Sequence, residues 1–404
     1  MPAPEPVAFS DSNLPRRNRW IATIFNGYLL TFAAEGILVL LQRFSGGVLA
    51  GSVLAPLKGL AGFCSVLLAV CVTLVACSYR RAQWQVLLPA LVLTFWKAFY
   101  FLPLPAYFSW NSLALGGALI QTATGIATLL FLRARSKGTS FLLPKEATSL
   151  AEFSWARTGL TLAIKIGAVL PALILYLLLS AQILVREYSS GFLEVTASGI
   201  YTEARTYERD GHKIYLLPTI HIASPAFYET LMEGLPEKSS VILPEGVTDR
   251  EGVLKDFIDY SAAASSVGLV AQPDLTTPRK SHAVLRCDAD VSEFSPETRK
   301  VLSGLGRVLK HLKAGDVEAT VSALEALDEE PPTGLWKDIL ETRNNKVLEA
   351  LRSALPRYEH VAIPWGAAHM PGIERGLVAM DAHKIEAKRV EVFKWKALKL
   401  LPEL

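Results

Sequence analysis

The chain has 404 residues, of which 51% are hydrophobic, a mean hydropathy of +0.30 and a net charge of +3. Such an apolar composition excludes an ordinary soluble protein, and so small a charge carries no nucleic-acid signal. The apolar excess lies in the first half, whereas all seven histidines lie in the second half. Composition therefore predicts a membrane domain at 1–185 and a polar domain at 186–404.

Five apolar stretches in the first half are long enough to cross a bilayer as helices. They cover 20–41, 59–77, 84–104, 112–132 and 158–184. Lysine and arginine concentrate before the first stretch, after the second, and between the fourth and fifth, which places the amino terminus in the cytoplasm. Five crossings then place the polar domain outside the cytoplasm.

Charged residues inside these stretches are costly in a bilayer and invite a functional interpretation. Glu35 and Lys97 fall at similar depth and are predicted to pair, either as a contact that stabilises the bundle or as a functional group. A stripe of small and polar residues four positions apart predicts close helix packing in the fourth stretch. Its members are Gly117, Gln121 and Gly125.

The second half alternates strand and helix patterns, which predicts an α/β domain with a mixed, partly parallel sheet. Two strands are predicted within 192–209, followed by a tight Asp210-Gly211 turn. Further strands are predicted from 213 and at 361–363 and 390–393, and helices at 249–264, 296–312, 316–327 and 334–355.

Three short apolar runs each lead through a proline to a polar side chain, namely His221, Glu245 and His369. Because parallel strands present their carboxyl ends at one edge of a sheet, these side chains are predicted to meet there. Two imidazoles and a carboxylate are typical of a metal site or an acid–base site. Imidazole suits ions such as Mn, Co and Zn, and Glu245 would be a third ligand or the base for a bound water.

Arg343 lies on the apolar stripe of the predicted helix at 334–355. A guanidinium turned inward needs an anion, because an unpaired buried charge is strongly destabilising. Two interpretations follow with equal weight. Arg343 either points into the site beside Glu245, or it forms a structural salt bridge with another acid such as Asp288 or Asp290.

The order of four short motifs resembles the TraB/PrgY/GumN family, which includes the Tiki extracellular proteases. The motifs are Pro218-Thr219-Ile220-His221, Leu243-Pro244-Glu245, Thr342-Arg343-Asn344 and Gly366-Ala367-Ala368-His369. The resemblance covers about 201–393 and implies a divalent-metal-dependent peptidase, with Mn, Co or Zn on His221, His369 and Glu245. The chain departs from the family where Pro218 replaces a glycine and where five membrane spans precede the domain.

Residues and resemblance together predict a membrane-anchored hydrolase that cleaves a peptide or protein substrate, with Glu245 and Arg343 as catalytic residues. Its predicted location is a bacterial inner membrane with a periplasmic polar domain. The sequence leaves open whether the chain forms a homo-oligomer. One alternative is a non-catalytic module that captures a peptide or haem through the same histidines. Another is a membrane scaffold or transporter accessory that acts through Glu35 and Lys97.

Overall fold

A computed structural model describes residues 16–45, 49–78, 84–137, 140–143, 155–254, 260–275, 282–326 and 334–398. The chain divides into two compact units, Met1–Ser180 and Ala181–Leu404, and the boundary falls inside a helix. The described part of the first unit is helical. Its helices are α1 (Arg16–Phe44), α2 (Ala55–Ser78), α3 (Leu88–Ala98), α4 (Trp110–Arg135) and α5 (Trp155–Tyr188), the last of which continues into the second unit.

Four helical segments of the described chain are long and apolar enough to cross a membrane. They are Trp20–Phe44, Ala50–Cys77, Trp110–Arg135 and Thr158–Tyr188. Many of their apolar side chains are exposed, as expected of surfaces that face lipid rather than water. By length and composition these helices are therefore candidate membrane spans, in agreement with the sequence.

The predicted span at 84–104 is shorter than expected, so the described ranges contain four helices of spanning length where the sequence predicted five. A short 3-10 helix, Trp84–Leu87, leads into α3, which ends at Ala98. Tyr100 and Phe101 then adopt positive φ angles of 53° and 55°, which no helix continues through. The four 3-10 residues and the eleven residues of α3 together rise about 24 Å, short of the ~30 Å hydrocarbon core.

Small residues let the membrane helices approach closely, as the stripe in the fourth stretch predicted. A Cβ on Gly125 would lie 2.8 Å from the Cβ of Ala33, and a Cβ on Gly117 would lie 2.7 Å from Cζ of Phe101. Neither space would admit a larger side chain without movement of a neighbour. The close-packing prediction for α4 is confirmed.

The second unit contains a seven-stranded mixed sheet. Its strands are β1 (Leu193–Val195), β2 (Gly199–Arg209), β3 (His212–Thr219), β5 (Ser240–Ile242), β7 (Ala283–Val284), β8 (His360–Gly366) and β9 (His383–Lys394). Strands β3, β8, β5 and β7 are parallel neighbours in that order, whereas β1, β3 and β9 pair with β2 antiparallel. A separate two-stranded sheet joins β4 (Ile222–Ala223) to β6 (Val270–Ala271). The predicted mixed, partly parallel sheet is confirmed.

Local sequence explains the main strands. Asp210 and Gly211 both have positive φ, and an Asp-Gly turn of this kind matches the twist of the antiparallel hairpin β2–β3. Strand β8 is buried along 361–365, and such a continuous apolar run is typical of a central parallel strand. Strand β9 is longer than its predicted 390–393 because it pairs with β2 as far as His383.

Helices of the second unit are α6 (Pro225–Met232), α7 (Ser261–Ser266), α8 (Pro296–Ala314), α9 (Val317–Glu325), α10 (Arg343–Ala354) and α11 (Met370–Val378). The predicted helices at 296–312 and 316–327 correspond to α8 and α9. The predicted helix at 334–355 holds a π-helical stretch, Lys337–Thr342, before α10.

The predicted helix at 249–264 is wrong in its first part. Residues 249–254 are not helical, because the Asp249 carboxylate accepts hydrogen bonds from the Val253 and Leu254 amides and Gly252 has a φ of +64°. Positions 255–259 lie outside the described residues, and only α7 is helical within the remainder.

Candidate functional site

The carboxyl ends of three adjacent parallel strands bring the predicted residues to one edge of the sheet. Strands β3 and β5 flank β8 on either side, in a register that pairs Lys213 and Ser240 with His360. His221, Glu245 and His369 each follow one of these strands within three residues of its end. The fourth parallel strand, β7, leads to Asp288 at the same edge.

Arg343 lies at the centre of the site, at the start of α10. Its Nε donates to Asp288 Oδ1 at 2.9 Å, and its Nη2 donates to Asp288 Oδ2 and to Glu245 Oε1, both at 2.7 Å. Arg343 therefore contacts both Glu245 and Asp288, which are the partners that the two interpretations named. Asp290 instead binds Thr248 and Ser292.

The charges at this centre are buried and mutually compensated. Side chains of Arg343 and Asp288 are 11% and 1% exposed. Burial lowers the pKa of the Arg343 guanidinium, but the hydrogen bonds and charges of Asp288 and Glu245 outweigh burial and raise that pKa above its usual value. Asp288 and Glu245 thus place two carboxylates against the one guanidinium of Arg343.

Glu245 is held as a carboxylate. Its Oε2 accepts the Gly366 amide at 2.6 Å, and a Cβ on Gly366 would lie 3.2 Å from that same oxygen, so this glycine permits the close approach. Burial would raise the pKa of the Glu245 carboxyl. The hydrogen bond with His369, the charge of Arg343 and the Gly366 amide outweigh burial and hold the pKa well below its usual range.

The His369 side chain is buried behind Glu245 and Arg343, and its two ring nitrogens have different partners. Nδ1 donates to Asn344 Oδ1 at 2.8 Å, while Nε2 lies 3.1 Å from Arg343 Nη1 and 3.4 Å from Glu245 Oε1. Because the Asn344 amide oxygen can only accept, Nδ1 carries a proton and Asn344 fixes that tautomer, while Nε2 faces both the guanidinium and the carboxylate.

His221 lies apart from His369, on the exposed side of the site. Its ring stacks on Tyr260 with centroids 4.7 Å apart and an interplanar angle of 6°. Its carbonyl oxygen accepts the Gln272 amide at 2.8 Å. Among the described residues, no hydrogen bond or ion pair joins the His221 side chain to Glu245 or His369.

A cavity of about 860 Å³ opens beside the cluster and is lined by His221, Glu245 and Arg343 together. Six apolar side chains are also in the lining, namely Leu254, Leu275, Phe294, Leu302, Leu305 and Ile339. A cavity of this size that combines apolar side chains with charged groups is typical of a site for an organic ligand that has apolar side groups. His369 is not part of the lining and contacts two residues that are, Glu245 and Arg343.

Pro218, which replaces the glycine of the family motif, lies within β3. It pairs with Trp365 of β8, two residues past Leu216, the last residue that pairs β3 with β2. A residue without an N–H is tolerated there because β3 has already left one of its two neighbours. The strand consequently reaches its end and carries His221 to the site edge.

The described residues do not fit the predicted divalent metal. No group of three or more His, Cys, Asp or Glu side chains within the described ranges could hold a metal ion. Both oxygens of Glu245 accept protein hydrogen bonds, and a guanidinium nitrogen lies 3.1 Å from His369 Nε2. A cation between those ligands would meet the positive charge of Arg343.

Four contributors to the site were not assigned a site role from the sequence. Asp288 appeared only as a structural partner, and Asn344 and Tyr260 orient the two imidazoles. Gly372 lets α11 approach α10, since a Cβ there would lie 2.2 Å from Asn344 Nδ2. The one available signal was the placement of a polar Asn344 beside Arg343 on an apolar helix face.

No family model matches this chain, and no curated protein or solved structure matches it either. The resemblance to the TraB/PrgY/GumN family therefore rests on the four short motifs and stays a prediction.

Proposed function

We propose that the polar domain is a hydrolase of peptide bonds, anchored to a membrane by the helices of the first half. One observation carries the proposal: the buried cluster of Arg343, Glu245 and His369 opens into a cavity that His221 also lines. Charged groups that are fixed in position beside an apolar cavity are a common arrangement in enzymes.

Arg343 would bind the carbonyl oxygen of the scissile bond. Asp288, Glu245 and His369 take up four of its five N–H groups, which leaves one on Nη1 with no acceptor among the described residues. Because that guanidinium is already held by buried partners, it needs no rearrangement to stabilise an oxyanion.

His221 would move the proton. Glu245 is a weak base because its pKa is held low, whereas imidazole is the usual general base near neutral pH. In the proposed reaction, His221 takes a proton from water as the water oxygen bonds to the carbonyl carbon. The C–N bond then breaks and the same proton goes to the leaving amine. Glu245 accepts a hydrogen bond from the water and keeps Arg343 in place.

The domain would act outside the cytoplasm, in the periplasm if the host is bacterial. The distribution of lysine and arginine supports a cytoplasmic amino terminus. An external polar domain then requires an odd number of crossings, so the segment around Gln85–Ala98 must cross together with the turn that follows it.

The test is turnover of a fluorogenic peptide library with apolar residues by the detergent-purified full chain. We expect His221→Ala and Arg343→Lys to lower kcat/KM by at least about 100-fold, the usual scale for a general base or an oxyanion donor. His383→Ala, which changes an exposed histidine on β9, is the matched control and should leave kcat/KM unchanged.

The metal content of the purified protein tests the prediction that the site holds a divalent metal ion. Turnover that persists in a chelator, without stoichiometric Mn, Co or Zn by elemental analysis, would support the metal-free arrangement. Loss of turnover on chelation, restored by one metal, would favour the predicted metal site. Saturable peptide or haem binding without turnover would refute the hydrolase and leave the binding module.

A further inference from the structure

The first unit contains a cavity of its own, of about 520 Å³. It lies where α1 and α3 end and where α2 and α4 begin, so these four helix ends are at one side of the bundle. Charged residues line it, namely Glu35, Lys58 and Lys97, together with several aromatic side chains. Charged groups within membrane helices are a functional-site hypothesis in their own right.

The inner wall of this cavity is a hydrogen-bonded network. Lys97 Nζ pairs with Glu35 Oε1, as the sequence predicted, and lies 3.3 Å from Gln121 Oε1. Gln121 Nε2 donates to Glu35 Oε2 at 2.9 Å and to the Phe32 carbonyl at 2.8 Å. A Cβ on Gly62 would lie 2.8 Å from Glu35 Oε1, so a glycine is needed at this wall. Both oxygens of the Glu35 carboxylate therefore already accept hydrogen bonds from neighbouring side chains.

Lys58 is different because no described residue pairs with its ammonium group. It lies inside the spanning segment Ala50–Cys77 and lines the cavity, yet it makes no hydrogen bond or ion pair with any described residue. Two ammonium groups thus face one carboxylate, which gives the cavity an excess charge of +1. An unpaired cation inside a spanning segment is costly, and an anion in the cavity would remove that cost.

Aromatic side chains mark the level of the cavity mouth. Tyr100 and Trp110 pack edge to face with centroids 6.2 Å apart, and they are 70% and 59% exposed. Exposed Tyr and Trp collect where the headgroups of a bilayer meet its hydrocarbon core. We therefore expect this pair to lie at headgroup level, with apolar Phe63 and Leu113 also in the cavity lining.

We propose that this cavity binds the phosphate headgroup of an anionic phospholipid, with the phosphate at Lys58 and Lys97. The excess positive charge selects an anion, and the apolar and aromatic lining accommodates the start of an acyl chain. Lipid is the source that fits because the mouth faces the layer in which headgroups are concentrated.

The test compares lipid binding by native mass spectrometry of the full chain, using phosphoglycerol and phosphocholine lipids with identical acyl chains. Lys58→Met should weaken binding of the phosphoglycerol lipid about fivefold, which corresponds to ~1 kcal/mol per lysine near a bilayer surface. Lys58→Arg should retain it. Lys58 has no partner to lose among the described residues, so the substitution should leave the helices folded.

Arg43→Met is the matched control, because it removes an exposed cation at the end of α1 that does not line the cavity. The proposal fails if Lys58→Met binds the phosphoglycerol lipid as wild type does, or if Arg43→Met weakens binding equally. Binding of inorganic phosphate without preference between the two lipids would assign the cavity to a soluble anion and overturn the lipid source.

Discussion

Substitution of Asp288 by asparagine tests the buried charge cluster without changing side-chain size. Asp288 receives two hydrogen bonds from Arg343, and its Oδ2 also accepts the Gly246 amide at 2.8 Å. The Asp288 side chain is 1% exposed, so water cannot replace the lost charge. Asparagine would keep one acceptor but present an N–H to a guanidinium.

The expected cost follows from what remains around Arg343. Removal of one partner from a buried ion pair costs about 3–5 kcal/mol when the other charge is left alone. Here Glu245 still neutralises the guanidinium, so we expect about 2–3 kcal/mol. At 1.4 kcal/mol for each factor of ten, that is about 30- to 150-fold faster opening.

Hydrogen–deuterium exchange of a peptide that contains Gly366 measures this opening, since the Gly366 amide donates to Glu245. Asp210→Asn is the control, because Asp210 is 81% exposed and its pair with Arg209 is worth no more than about 1 kcal/mol. Equal exchange rates in the two variants would show that Asp288 does not hold Arg343, and the described cluster would be wrong.

Three further predictions concern pH, packing and topology. The pKa of the Glu245 carboxyl is lower in the folded state than in the unfolded state, so the ionised carboxylate stabilises the fold fully above the unfolded value of about 4.3. This stabilisation is lost as the pH falls further. Chemical denaturation should therefore show a fall in the free energy of unfolding below about pH 4 in the wild type but not in Glu245→Gln. Gly372→Ala should destabilise the polar unit by about 1–3 kcal/mol in thermal unfolding, because the new Cβ must displace Asn344. Gly159→Ala is the control and should show no packing penalty, since no described atom lies within 4 Å of its added Cβ. An alkaline phosphatase fusion after residue 190 should be active and a green fluorescent protein fusion dark in a bacterial host; the reverse pattern would place the polar unit in the cytoplasm.

Strand periodicity predicted the edge of the sheet well because β3, β5 and β8 are short apolar runs with a polar residue just beyond each end. Parallel pairing then fixes where those polar residues lie, which is why Glu245 and His369 come together. The sequence pattern does not show, however, how deeply each of these side chains is buried. His221 lies two positions past Thr219, which pairs with Gly366 in the register of β3 and β8. Its ring stacks on Tyr260 and stays exposed, while His369 turns inward onto α10.

Helix contacts were harder to predict because they depend on tertiary packing. Gly372 and Gly376 of α11 lie one turn apart against Asn344 and Leu348 of α10, where a Cβ would come within 2.2 and 2.3 Å of those side chains. Local sequence does not specify which helix such glycines face. The third membrane stretch likewise satisfied a hydropathy window, but its helix ends at Ala98 before positive φ angles that no hydropathy scale detects.

Arg343 supplies a permanent positive charge at the centre of the site. A guanidinium stays protonated at any physiological pH, and Asp288 holds it in a fixed plane through two hydrogen bonds. The positive charge that a bound cation would supply is therefore present in the folded chain itself and does not depend on loading. Its orientation depends instead on Asp288 and Glu245, so a change in either carboxylate should disturb the site even though only Glu245 lines the cavity.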